Sequence, residues 1–206
     1  MNDIRTAFLA AATTAQPLVG LPEVGDRWPE PSSLPGMTVG ALVSHLVTAV
    51  TNPDRFLEAP PPDGEPISVA AYWLPVTADA ESAINVRVRT TAGEEALIGQ
   101  RAVVGRLGRA IDRLRARLPS EPEDRLLRAR DEVLLLDQYL RSRLIELTVH
   151  IDDLCVSLGR STPPLPGIEV AIGALMEVAT LRHGELAVLR ALARRERDAV
   201  QALRVI

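Results

Sequence analysis

The chain contains no lysine: all 23 of its basic side chains are arginine. It has one cysteine, Cys155. That excludes an internal disulfide framework and fits a reducing, cytoplasmic setting. Aromatic residues make up only 3% of the chain, which argues against a β-sandwich core and for packed helices of Leu, Val, Ala and Ile. No apolar run approaches the length of a membrane span. The net charge of −4 and the absence of a basic stripe argue against nucleic-acid binding. There is no Gly-rich phosphate loop and no recognisable nucleophile motif. Histidine is scarce too, so a histidine-based site must be drawn from His45, His150 and His183.

What is present is helical periodicity. At 206 residues and 47% hydrophobic content, the chain can bury one substantial core, and residues 1–206 read as a single domain. The opening MNDIRTAFLAAATTAQPLVG has Asp3 in its lead and a weak apolar run, so it reads as an amphipathic helix over 2–16 that uses Ile4, Phe8, Ala11 and Leu18, not as a signal peptide. Residues 22–36 are rich in Pro and Gly and read as loop. Thr38 is a candidate N-cap for a helix over 38–51, closed by Asn52-Pro53, with a short continuation through Phe56 and Leu57. Residues 68–74 predict a helical turn or two. A longer pattern runs from Asp79 to Leu118, with an interruption expected at 91–93. Its arginine-rich face reads as solvated. Residues 123–135 are ambiguous, with an extended start favoured. A helix over 136–158 stops at Gly159, and a final pair is expected over 167–181 and 183–202. Together these make an all-α bundle with long crossover loops.

The informative stretch is RLIELTVHIDDL, residues 143–154. At about 100° per residue, Glu146 and His150 share a stripe with Tyr139, Arg143, Asp153 and Ser157. Leu140, Leu144, Leu147, Ile151, Leu154 and Leu158 flank it on one side, and Ile145, Val149 and Val156 on the other. Arg141, Thr148, Asp152 and Cys155 point backwards, the side expected to meet solvent. A polar stripe between apolar flanks faces the interior, where a bare carboxylate is costly. Glu146 therefore needs compensation from Arg143, Tyr139, His150 or a metal ion. Glu and His at i and i+4 can reach one ion, although such a pair is more often simply hydrogen-bonded. His45, at the margin of the apolar face of its helix, could supply a third ligand from a facing helix. Arg143 reads first as an ion-pair partner of Glu146; with Tyr139 it is also a candidate for orienting an anionic or carbonyl group of a substrate. Asp153 reads as a supporting carboxylate, His183 as a surface or helix-capping residue, and Cys155 as packing.

Two segments carry a family resemblance. SSLPGMTVGALVSHLV (32–47) resembles a loop ending S-x-L-P-G-W-T-V that runs into a helix containing H-L. YLRSRLIELTVHIDDLCVSLG (139–159) resembles R-x-x-E-x-x-x-H-x-x-D-L followed by A-L-G. Both are similar to the mycothiol-dependent maleylpyruvate isomerase N-terminal domain family, and LRALARRERDAVQALRV (189–205) is similar to its closing helix. The resemblance implies a DinB-like four-helix bundle with extra C-terminal helices. It also implies a divalent metal, most commonly zinc with nickel as an alternative, on His45, Glu146 and His150. Mycothiol as co-substrate and a small-molecule substrate follow from the same likeness, with a homodimer left open. The implied activity is a metal-dependent thiol S-transferase or isomerase; the alternative is a non-catalytic metal-binding bundle with a structural or interaction role. Met37 departs from the family's Trp. The isomerase's additional C-terminal domain has no counterpart in this length of chain, which counts against isomerisation of maleylpyruvate itself. The missing lysines read as codon bias of a GC-rich genome, compatible with an actinobacterial source of mycothiol.

Overall fold

The structure, a computed structural model, describes residues 3–76, 79, 81–193 and 203. In chain order its elements are α1 (Asp3–Val19), α2 (Pro22–Asp26), α3 (Val39–Glu58), α4 (Val69–Trp73), α5 (Ala83–Ala96) and α6 (Gln100–Arg117). A 3₁₀ turn (Leu118–Ser120), β1 (Leu126–Ala129), β2 (Glu132–Leu135), α7 (Leu136–Leu158), α8 (Ile168–His183) and α9 (Glu185–Ala193) follow. Helices α1, α3, α6 and α7 pack side by side into a four-helix bundle; α5 lies against α3, and α8 covers α7. The fold is all-α and DinB-like, with one small hairpin as its sheet among the described residues. None of the helices described is long and apolar enough to cross a membrane.

Buried leucine, valine and alanine fill the space between the four long helices. Phe8, Leu42, Leu46, Leu107, Ile111, Leu114 and Leu140 are among its fully buried members. Thr38 caps α3 by accepting the Ala41 N–H at 3.1 Å, and Ser68 and Ser82 cap α4 and α5 in the same way. A serine or threonine oxygen satisfies an N–H that has no carbonyl to bond within its own helix. Gly159 ends α7 in the left-handed region, φ 65°, where a side chain would be disfavoured.

Several boundaries differ from the sequence expectation. Helix α1 passes through Pro17 to Val19. The Gln100 side chain donates to the Val19 and Leu21 carbonyls at 2.9 and 2.8 Å, so the last turn is held by a partner far away in sequence. Helix α3 likewise runs through Pro53 to Glu58, because Leu57 is fully buried and Asp54 pairs with Arg113 of α6. The loop expected over 22–36 contains the short α2, with proline in its first turn. The break expected at 91–93 falls instead at 97–99: Ala92 is buried within α5, and Gly99 takes φ 81° before α6. Residues 126–129 and 132–135 form an antiparallel hairpin with Ala129 opposite Glu132, so most of the ambiguous segment is extended, but its start at 123–124 is a turn, as is the hairpin tip at 130–131. The last two helices divide at Gly184, φ 85°. The remainder of the expected final helix, with most of the family-like closing segment, lies outside the described residues.

The back of α7 also differs. Cys155 is 1% exposed and Thr148 is buried, because α8 packs on that side. Arg141 pairs there with Glu177 of α8, and the Thr148 hydroxyl donates to the Leu144 carbonyl at 2.8 Å. Burial pushes the Cys155 thiol up from its ordinary range, in keeping with packing. Val156, expected on an apolar flank, is 59% exposed.

Candidate metal centre

Two long helices build the site. The front stripe of α7 faces α3, and His45 meets it from across the bundle. His45 Nε2 lies 3.2 Å from Glu146 Oε2, and His150 Nε2 lies 3.0 Å from the same oxygen. The two imidazole rings stack edge to face with centroids 4.8 Å apart. One donor atom from each of His45, Glu146 and His150 falls within 4.8 Å of the others, and the three side chains are only 14–16% exposed.

Asp153, one turn on, places Oδ2 2.9 Å from His150 Nδ1. A carboxylate there accepts from Nδ1–H and turns the Nε2 edge of the ring toward the cluster, the arrangement that orients metal-binding imidazoles. Burial opposes a charge on His150, but hydrogen bonds to Asp153 and Glu146 outweigh it and raise the imidazole to about 9. Burial also opposes the Glu146 carboxylate, yet the His45 charge, hydrogen bonds to both histidines and Arg143 hold it well below the usual carboxylate range. Without a cation the cluster is therefore held by charge-assisted hydrogen bonds to the Glu146 carboxylate. Two imidazole nitrogens and one carboxylate oxygen, converging in a half-enclosed spot, make a donor set that fits a borderline divalent ion such as zinc.

Beyond Glu146 the stripe continues through Arg143 and Tyr139. Arg143 Nη2 is 3.7 Å from Glu146 Oε1, and its guanidinium carbon sits 4.8 Å from the Tyr139 ring centroid. At the other end, Ser157 and the Asp153 carbonyl bond Ser33, so the loop before α3 is tied over the end of α7. His183 ends α8, is exposed and is not among the converging donors. Asp152 is exposed and bonds Thr162. Two neighbours had no signal in the sequence pattern. Tyr72 of α4 packs edge-on against Tyr139 with centroids 6.0 Å apart, and the Arg130 guanidinium lies 3.7 Å above the Tyr72 ring. A tyrosine on a five-residue helix and an arginine in a hairpin turn carry no periodicity that marks them.

An all-α bundle with a His–Glu–His cluster between facing helices defines this as a protein of the DinB-like class. The chain belongs to the mycothiol maleylpyruvate isomerase N-terminal domain family, whose sequence pattern matches residues 8–155. Comparison with curated proteins and with solved structures gave no match.

Proposed function

We propose that His45, Glu146 and His150 hold a divalent metal, most commonly zinc with nickel as an alternative, and that the protein is a metal-dependent thiol S-transferase or isomerase using mycothiol or a related low-molecular-weight thiol. The observation that carries this reading is the convergence of three nitrogen and oxygen donors, with Asp153 hydrogen-bonded to the outer nitrogen of His150. A bound divalent ion would supply Lewis acidity, lowering the pKa of a thiol beside it. The protein's part is orientation and charge. Asp153 holds the His150 ring, and Glu146 contributes one negative charge, offset by Arg143 at 3.7 Å. With a dication added, the charges of Glu146, Asp153 and Arg143 leave one net positive, which favours the anionic form of the thiol.

The cluster among the described residues has three protein donors, whereas a closed structural zinc site has four. Asp153 faces the outer nitrogen of His150, and His183 is not among the donors. Both facts favour an open position over a purely structural ion. Elemental analysis of protein purified without chelator is expected to find near-stoichiometric zinc or nickel, and His150→Ala is expected to lose it. Full metal retention by that variant would overturn the assignment.

A further inference from the structure

Next to the cluster lies a group of polar side chains whose hydrogen-bonding capacity is largely unused. Arg143 is buried, with its side chain 8% exposed, yet its one hydrogen bond runs from Nε to Ser142 Oγ at 3.1 Å. Its Nη2 is too far from Glu146 to bond it well, and Nη1 has no hydrogen-bond partner among the described residues. A guanidinium carries five donors, so most of this one's capacity is idle in a place where idle polar groups are expensive. Tyr139 and Tyr72 are 1% and 5% exposed, and neither hydroxyl makes a hydrogen bond among the described residues, although buried tyrosine hydroxyls ordinarily find a partner.

These idle atoms are not sealed in the core. The fully buried polar side-chain atoms without partners among the described residues are Ser44 Oγ, Trp73 Nε1 and Arg125 Nε. The Arg143 nitrogens and the tyrosine hydroxyls are not among them. The small exposure these residues keep therefore includes their polar tips.

Arg130 completes the group from the hairpin turn. Its guanidinium lies on Tyr72, and Nη2 donates to the Tyr72 carbonyl at 2.8 Å. Its backbone takes φ 53°, the one positive φ outside glycine among the described residues. A non-glycine residue holds that conformation at a cost of about 1 kcal/mol, and here a specific side-chain anchorage accompanies it. Burial raises the Tyr139 hydroxyl well above its ordinary value, so it keeps its proton as a donor, and Arg143, Tyr72, Glu146 and Arg130 all act on it electrostatically.

We propose that Arg143, Tyr139, Tyr72 and Arg130 form a binding site for the carboxylate of a small-molecule substrate. Two guanidinium groups supply positive charge, and two hydroxyls supply neutral donors. A planar carboxylate can accept a pair of N–H bonds from one arginine. Inorganic phosphate, whose dianion gathers both charges on one centre, would need more donors than one buried guanidinium and two hydroxyls provide. The inference leans on the proposed function only for its meaning as a substrate site beside the metal; binding itself does not require the ion.

The test is calorimetric titration of succinate into the full-length protein, stripped of metal and dialysed free of chelator, at low ionic strength. Saturable binding is expected, with affinity about tenfold or more weaker in Arg143→Gln and several-fold weaker in Arg130→Gln, Tyr72→Phe and Tyr139→Phe. Succinamide, which has the same shape without the charge, is expected not to bind. Absence of succinate binding would overturn the proposal, as would equal binding of succinamide or tighter binding of inorganic phosphate. Wild-type affinity in Arg130→Gln, Tyr72→Phe and Tyr139→Phe together would also overturn it, and those three variants decide the matter even if Arg143→Gln fails to fold. Zinc stoichiometry measured on the same proteins before stripping separates this outcome from the metal assignment: bound zinc in the purified protein with no succinate binding after stripping removes the carboxylate site alone.

Discussion

Stripping the metal and titrating zinc back at several pH values is expected to expose the proton on His150. A metal-ligating imidazole must be neutral, and His150 without a cation is raised to about 9, because hydrogen bonds to Asp153 and Glu146 outweigh the opposing effect of burial. At pH 7 that proton has to be displaced, so apparent zinc affinity should be about a hundredfold weaker than the limit reached above pH 9, falling about tenfold per pH unit. The stability of the metal-free protein should move the opposite way. A histidine whose pKa rises on folding, from 6.5 to about 9, contributes stability that is fully present below pH 6.5 and lost as pH climbs through 9. The amount is about 3 kcal/mol at most. Competition with a chromophoric zinc chelator between pH 6.5 and 8.5 measures the first effect, and urea unfolding of stripped protein measures the second. Zinc affinity that stays flat across this window, or metal-free stability that rises with pH through it, would refute the reasoning.

Two structural predictions test the frame that positions the site. In Gly40→Ala the new Cβ would stand 2.5 Å from the Trp28 indole, whose Nε1 donates to the Ala96 carbonyl at 3.0 Å. The indole has to shift, so a loss of about 1–3 kcal/mol is expected, read as a melting temperature lower by about 5 °C. Arg5 is buried in α1; it donates to Asp137 at 2.8 Å and to the carbonyls of Leu118, Glu121 and Pro122. Arg5→Ala strands those acceptors and should cost about 3–5 kcal/mol in chemical denaturation; a loss below about 1 kcal/mol would show that water replaces the guanidinium.

The stripe of Tyr139, Arg143, Glu146, His150 and Asp153 was legible in the sequence because helical periodicity is local: 3.6 residues per turn fixes which side chains share a face whatever surrounds the helix. The apolar flanks on both sides of it, the cap at Thr38 and the stop at Gly159 are legible for the same reason. The family resemblance then matched His45 to the pair from α7. Periodicity could not say what lies behind a helix. The back of α7 was read as solvent-facing, yet α8 buries Thr148 and Cys155 and leaves Val156 exposed on another side. Nor could local rules keep α1 and α3 going through Pro17 and Pro53, since packing and distant partners hold those turns.

The sequence by itself determined the helical class, the inward polar stripe and the three candidate ligands. Only the tertiary structure brought His45 within 3.2 Å of Glu146 across 101 residues, and only it set Tyr72 and Arg130 beside Tyr139. Such meetings depend on how whole helices pack, through contacts that nearby residues do not encode.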